Sequence, residues 1–210
     1  MNNRIVSKGL DRRRFLSRII PVCAFSCLGL RCAFALTQMK QEALVPEGRH
    51  KFDEDLGMAF SHRQFYTMRY REYIELTKAL KKELGEKKAI DFLTRYTKKK
   101  MLEFGKSHAG RSPDNSFHTY TDTFRDLDQY RNTLTMEIVE DTEKAFELKV
   151  TECIWATTFV DLDAGDIGYA SVCVGDYTWA SGFNPKIRLV RDKTLMQGHA
   201  FCNHRYMWEG

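Results

Sequence analysis

Beyond residue 55, apolar positions first recur at three- and four-residue steps and later at two-residue steps, so the chain changes from helix to strand midway. Over residues 56–84, Tyr66, Tyr70, Tyr73, Leu76, Leu80 and Leu84 form one stripe, which predicts a long helix ended by Gly85. A second helix is predicted over 86–104, with Ala89, Leu93, Tyr96 and Phe104 on one side. Lys98, Lys99 and Lys100 near its end suit the helix dipole, and Gly105 closes it. A loop over 106–115, with Gly110 and Pro113, leads to a shorter helix carrying Phe117, Tyr120, Phe124 and Leu127.

The period then drops to two. Residues 133–138 and 146–150 alternate apolar and polar around the turn 141–144, the pattern of a β-hairpin with one buried face. A helix over 152–162 uses Ile154, Trp155, Phe159 and Leu162, and 164–180 reads as a bent helical segment interrupted around Val174-Gly175-Asp176. Asn184-Pro185 turns into a third strand over 186–194, Gly198 breaks it, and 201–208 is the fourth. The expectation is an α+β fold, a helical N-terminal half packed on an antiparallel sheet of about four strands.

The N-terminal residues read differently. Arg12-Arg13-Arg14 stands directly before Phe15-Leu16, an apolar run covers 19–30, and Ala33-Phe34-Ala35 follows. These match the basic region, apolar region and small-x-small cleavage site of an export signal, and an arginine pair before x-Phe-Leu resembles the twin-arginine type; the plainer alternatives are an ordinary signal with three arginines or an uncleaved anchor. The run is shorter than the roughly 20 residues that span a bilayer. The reading is a signal peptide over 1–35, a linker over 36–54 and one domain over 55–210, with a periplasmic or otherwise exported location.

Removing the signal changes the charge. Residues 1–35 hold seven of the 33 Lys/Arg and one of the 28 Asp/Glu, leaving 26 bases against 27 acids and a net charge of −1. Without excess positive charge, neither nucleic acid nor anionic lipid is expected as a partner, and no stable membrane insertion is expected after signal cleavage. A small-molecule substrate is expected, with a second copy or a redox partner as further candidates. Cys153, Cys173 and Cys202 remain after residue 35, an odd number, so one thiol at least is free, metal-bound or intermolecular.

Alternation in the last strand puts Cys202, His204, Tyr206 and Trp208 on one face. A thiol and an imidazole there could meet one ligand, and a Cys-His arrangement can activate a thiolate. The plainer alternative is a buried cysteine acting as a small hydrophobe beside a histidine satisfied by backbone. Cys173 with Asp176 is a second candidate; Asp176 and Asp166 also suit helix caps. The cofactor is open: Cys173, Cys202 and His204, with Cys153 and His199, are of ligand type for a divalent metal, but no spacing among them marks a site.

The C-terminal half resembles the L-2-amino-thiazoline-4-carboxylic acid hydrolase family. The resemblance rests on Glu152-Cys153-Ile154-Trp155-Ala156, Asp166-Ile167-Gly168-Tyr169, Cys173-x-x-Asp176, Gly182-Phe183-Asn184-Pro185-Lys186, Thr194-Leu195-Met196-Gln197-Gly198 and Cys202-Asn203-His204-Arg205-Tyr206, in that order. It implies hydrolytic opening of a C–N or C–S bond in a cyclic amidine, giving a carbamoyl-cysteine-type product. Such a reaction needs a nucleophile, a base and an acid. Cys202 as nucleophile, with Cys173 as a second candidate, His204 as base and Asp176 as acid would fill these roles, and Asp166, Asn203 and Arg205 are candidate substrate-binding residues. The competing expectation is a metal- or small-ligand-binding module of the same fold without turnover.

Overall fold

The computed structural model describes residues 59–210. Helix α1 (His62–Leu84) starts at Ser61, whose hydroxyl accepts from Gln64 N while the Gln64 side chain accepts from Ser61 N, a reciprocal cap. Gly85, at φ +86°, makes the sharp turn into α2 (Glu86–Ala109). Helix α3 (Phe117–Arg125), capped by Ser116, precedes strands β1 (Leu134–Asp141) and β2 (Ala145–Cys153). Then come α4 (Ile154–Asp161), the short α5 (Gly165–Gly168), a π-turn over Tyr169–Cys173, α6 (Gly175–Phe183), β3 (Ile187–Val190) and β4 (Cys202–Trp208). The sheet is antiparallel throughout, ordered β1-β2-β4-β3. This is the expected α+β architecture.

One face of the sheet builds the main core. Phe146 and Leu148 of β2, Tyr206 of β4 and Ile187 and Leu189 of β3 lie under Phe117, Tyr120 and Phe124 of α3 and Ala180 and Phe183 of α6. A second core joins Ile74 of α1 to Ala156 and Phe159 of α4, Ile167 of α5 and Met196. Alternation explains the first, since every second residue of a strand faces inward; the second is met by Tyr70, Tyr73 and Ile74 of α1, whereas Leu76, Leu80 and Leu84 of the predicted stripe are exposed.

Several boundaries differ from the sequence reading. Helix α2 does not stop at Gly105 but runs through it to Ala109. The glycine is there for close packing: a Cβ on Gly105 would collide with Trp179 O, and one on Gly182 would lie 2.5 Å from Leu102 O, so α2 and α6 touch backbone to backbone. Glu152 and Cys153 finish β2 rather than open α4. The third strand stops at Val190, and the interruption placed at 174–176 falls one turn earlier, in the π-turn, where Val174 N donates to Tyr169 O. Neither Asp166 nor Asp176 is an N-cap; each lies in the first turn of its helix. Residues 1–35 lie outside the described residues, and no helix among those described is long and apolar enough to cross a membrane.

Candidate active site

Where the two cores meet, α6 and the end of β3 bring three polar side chains together against β4. On β3 the inward positions are Ile187 and Leu189, and the same alternation continued beyond the strand puts Arg191 inward as well. Leu189 pairs with Tyr206, so the next inward rung sets Arg191 beside His204. Asp176, in the first turn of α6, comes down onto both. Arg191 Nη1 donates to Asp176 Oδ2 at 2.6 Å and to His204 Nε2 at 2.7 Å, and Arg191 Nη2 donates to the carbonyl of Cys173 at 2.6 Å. The Arg191 guanidinium also stands 5.0 Å above the Tyr177 ring centroid, and Tyr177 Oη donates to Arg191 O.

The arginine side chain is 1% exposed, His204 15% and Asp176 29%, so the cluster is sealed on the arginine side and reachable on the carboxylate side. His204 Nε2 lies 2.7 Å from Arg191 Nη1 and 3.5 Å from Asp176 Oδ2, so it accepts from the guanidinium when unprotonated and pairs with the carboxylate when protonated. His204 Nδ1 and Arg191 Nε are buried without a protein partner. Burial alone would raise the Asp176 carboxyl, but His204 and the Arg191 guanidinium outweigh it and hold it below the usual carboxylate range. Asp176 is therefore ionised near neutral pH. The proton-donor role expected for it falls away, and it is suited to accept a proton or hold a cation.

The thiols take a different part from the one expected. Cys202 is buried, and its Sγ accepts from Leu195 N at 3.1 Å. Burial pushes the Cys153 thiol up to about 11 and raises those of Cys173 and Cys202 as well. Neutral thiols in an apolar setting are poor nucleophiles. Among the described residues no three His, Cys, Asp or Glu side chains lie together as a metal site requires. His199 is engaged at the turn with Thr194.

Asn203 and Arg205 alternate onto the opposite face of the sheet from His204. Arg205 pairs there with Glu140 at 2.8 Å and with Glu147, while Asn203 accepts from Lys193 N and donates to Asp192 Oδ1, tying down the β3–β4 connection. Neither is placed to touch a substrate bound at Asp176. Asp166 pairs with Lys81 and lies on the wall of a cavity of about 980 Å³ between α2 and the α5–α6 segment. Tyr169, Tyr177, Thr178, Ser181 and Lys98 also line it. Tyr177 is thus shared: it lines the cavity and backs the Arg191 guanidinium. Sequence reading missed Arg191, although a charged residue at the second inward position after Ile187 was the available signal.

The model of the L-2-amino-thiazoline-4-carboxylic acid hydrolase family matches residues 65–206, from the first turn of α1 almost to the end of β4. Comparison with curated proteins gives no match. A similar solved structure is the phenol-responsive sensory domain of the transcription activator PoxR with phenol, at TM-score 0.43 and 12% identity over 74% of this chain and 78% of that one. The family match takes in every element that builds the Asp176–Arg191–His204 cluster, and the chain belongs to the L-2-amino-thiazoline-4-carboxylic acid hydrolase family.

Proposed function

We propose that this protein hydrolyses a small cyclic amidine of the thiazoline type, L-2-amino-thiazoline-4-carboxylate being the substrate that the family suggests, and that Asp176, His204 and Arg191 form its reaction centre. The observation carrying this reading is a carboxylate and an imidazole held by one buried guanidinium. An amidine carbon flanked by nitrogen and sulfur is attacked most readily when the ring nitrogen is protonated. A carboxylate kept anionic can hold that cation or take the proton of an attacking water. Water adds to the amidine carbon and loses a proton to Asp176. The ring C–S or C–N bond then breaks, its electron pair stays on the leaving atom, and that atom takes the proton back from Asp176. The product is a carbamoyl-cysteine. Arg191 holds His204 and the Asp176 carboxylate in place, and acts as a positioning residue. The three cysteines are structural in this scheme.

The alternative is a module that holds a small ligand without turnover. It is favoured by the cavity beside α2, whose walls include neither Asp176 nor His204. Proton NMR of purified protein mixed with L-2-amino-thiazoline-4-carboxylate separates the two. Ring opening by the wild type, lost in His204→Gln, supports the hydrolase; shifted ligand signals with an unchanged ring support the binding module. On the reading of residues 1–35 as a twin-arginine signal, we place the activity outside the cytoplasm. Appearance of the chain in a periplasmic fraction, abolished by Arg12→Lys/Arg13→Lys/Arg14→Lys, tests that.

A further inference from the structure

The near-neutral charge of the chain beyond residue 35 conceals a strong segregation. Helix α1 carries six Lys/Arg against three Asp/Glu, and α2 carries seven against three, a joint excess of seven positive charges. Residues 110–210 carry ten bases against sixteen acids, an excess of six negative charges. The same two helices hold most of the large apolar side chains left in water. Leu76, Leu80 and Leu84, at i, i+4 and i+8 on α1, are 63%, 42% and 55% exposed, and Phe92 and Tyr96 on α2 are 61% and 59% exposed. On α2 the outward row reads Lys88, Phe92, Tyr96, Lys100, all exposed. The inward faces of both helices are already used: Ile74 and Thr77 are buried on α1, and Ala89, Thr97 and Gly105 on α2.

We propose that the α1–α2 hairpin docks on an anionic lipid bilayer, its leucines and aromatics seated at the headgroup boundary and its lysines on the lipid charges. Rows of apolar side chains interleaved with lysine on a helix of low mean hydropathy are the pattern of an interfacial helix, which lies on a membrane instead of crossing it. The charge segregation selects this occupant. A second copy docking through the same face would set exposed lysines such as Lys82, Lys88 and Lys100 against their own counterparts, whereas an anionic surface meets them with opposite charge and repels the acidic remainder of the domain. A nucleic acid would leave the exposed leucines without a partner. The reading concerns a surface distinct from the Asp176 cluster and stands or falls independently of the hydrolase proposal.

The test is co-sedimentation of the full chain with vesicles of mixed phosphatidylglycerol and phosphatidylcholine, and with vesicles of phosphatidylcholine alone. Residues 1–58 are common to all variants, so differences between variants report the hairpin. A basic side chain near an anionic surface contributes about fivefold in partition. Lys82→Gln/Lys88→Gln/Lys100→Gln is therefore expected to lower partition onto the anionic vesicles by about a hundredfold, with no change on phosphatidylcholine alone. Leu76→Ser/Leu84→Ser, which touches no buried residue, is expected to weaken anionic binding while the melting transition stays in place. Equal partition of wild type and the lysine variant overturns the proposal. So does a wild-type dimer in light scattering that the leucine variant converts to monomer with vesicle binding unaltered, which would assign the face to a second copy.

Discussion

Replacing Arg191 by Met removes a buried cation and keeps most of its volume. In the wild type this guanidinium supplies three charge-assisted hydrogen bonds, to Asp176, His204 and the Cys173 carbonyl, and its side chain is 1% exposed. Breaking one side of a buried ion pair costs about 3–5 kcal/mol, because the partner charge stays behind in a poor solvent. Asp176 keeps 29% exposure, which places the expected loss at about 3 kcal/mol, the low end of that range. The pH dependence follows from the carboxylate. In the wild type Asp176 lies below its usual value, so the stability it contributes is present above the unfolded-chain pKa, about 3.9, and is lost as pH falls through the folded value. Without Arg191 the carboxyl loses its guanidinium partner and moves up from its wild-type value. The deficit of Arg191→Met is then full at pH 7 and shrinks on acidification as Asp176 takes up a proton. Urea unfolding followed by circular dichroism at pH 7 and pH 4 measures both quantities. The double variant Asp176→Leu/Arg191→Met should lie closer to wild type than Arg191→Met alone, since no charge is stranded. A deficit below about 1 kcal/mol at pH 7, or one that is the same at both pH values, would refute this picture of a paired buried carboxylate.

Two further outcomes follow from packing. Gly182→Leu drives a side chain into the Leu102 backbone at the α2–α6 crossing. A loss of at least about 2 kcal/mol is expected in thermal unfolding, and a neutral result would mean the two helices are not in backbone contact. Cys153, Cys173 and Cys202 should react slowly with iodoacetamide at pH 8 in the native protein and rapidly in urea, as read by peptide mass spectrometry. Fast native labelling of Cys202 or Cys173 would restore a thiolate as the candidate nucleophile.

What the sequence disclosed and what it hid have physical reasons. Period-two alternation found the hairpin and set Cys202 and His204 correctly on the inward face of β4, because register follows from which side chains seek the core. The same alternation excludes Asn203 and Arg205 from that face, although the family resemblance made them candidates for substrate binding. Gly105 was read as a stop because glycine weakens a helix, yet here it permits two backbones to touch, a use that only the partner helix reveals. Arg191 escaped notice because its role depends on a neighbour thirteen residues on and another from α6, a convergence that the fold creates. The charge segregation between the helical hairpin and the rest of the domain was also in the sequence, hidden by a net charge that averages over both.

The most direct test of the central claim compares kcat/KM for opening of L-2-amino-thiazoline-4-carboxylate between Asp176→Asn and Cys173→Ala/Cys202→Ala, each shown folded by circular dichroism. With water as the attacking group and Asp176 at the centre, Asp176→Asn should fall by about a hundredfold or more, while the double cysteine variant stays within about tenfold of wild type. Full activity in Asp176→Asn, or its disappearance only when the two thiols are removed, would contradict the account.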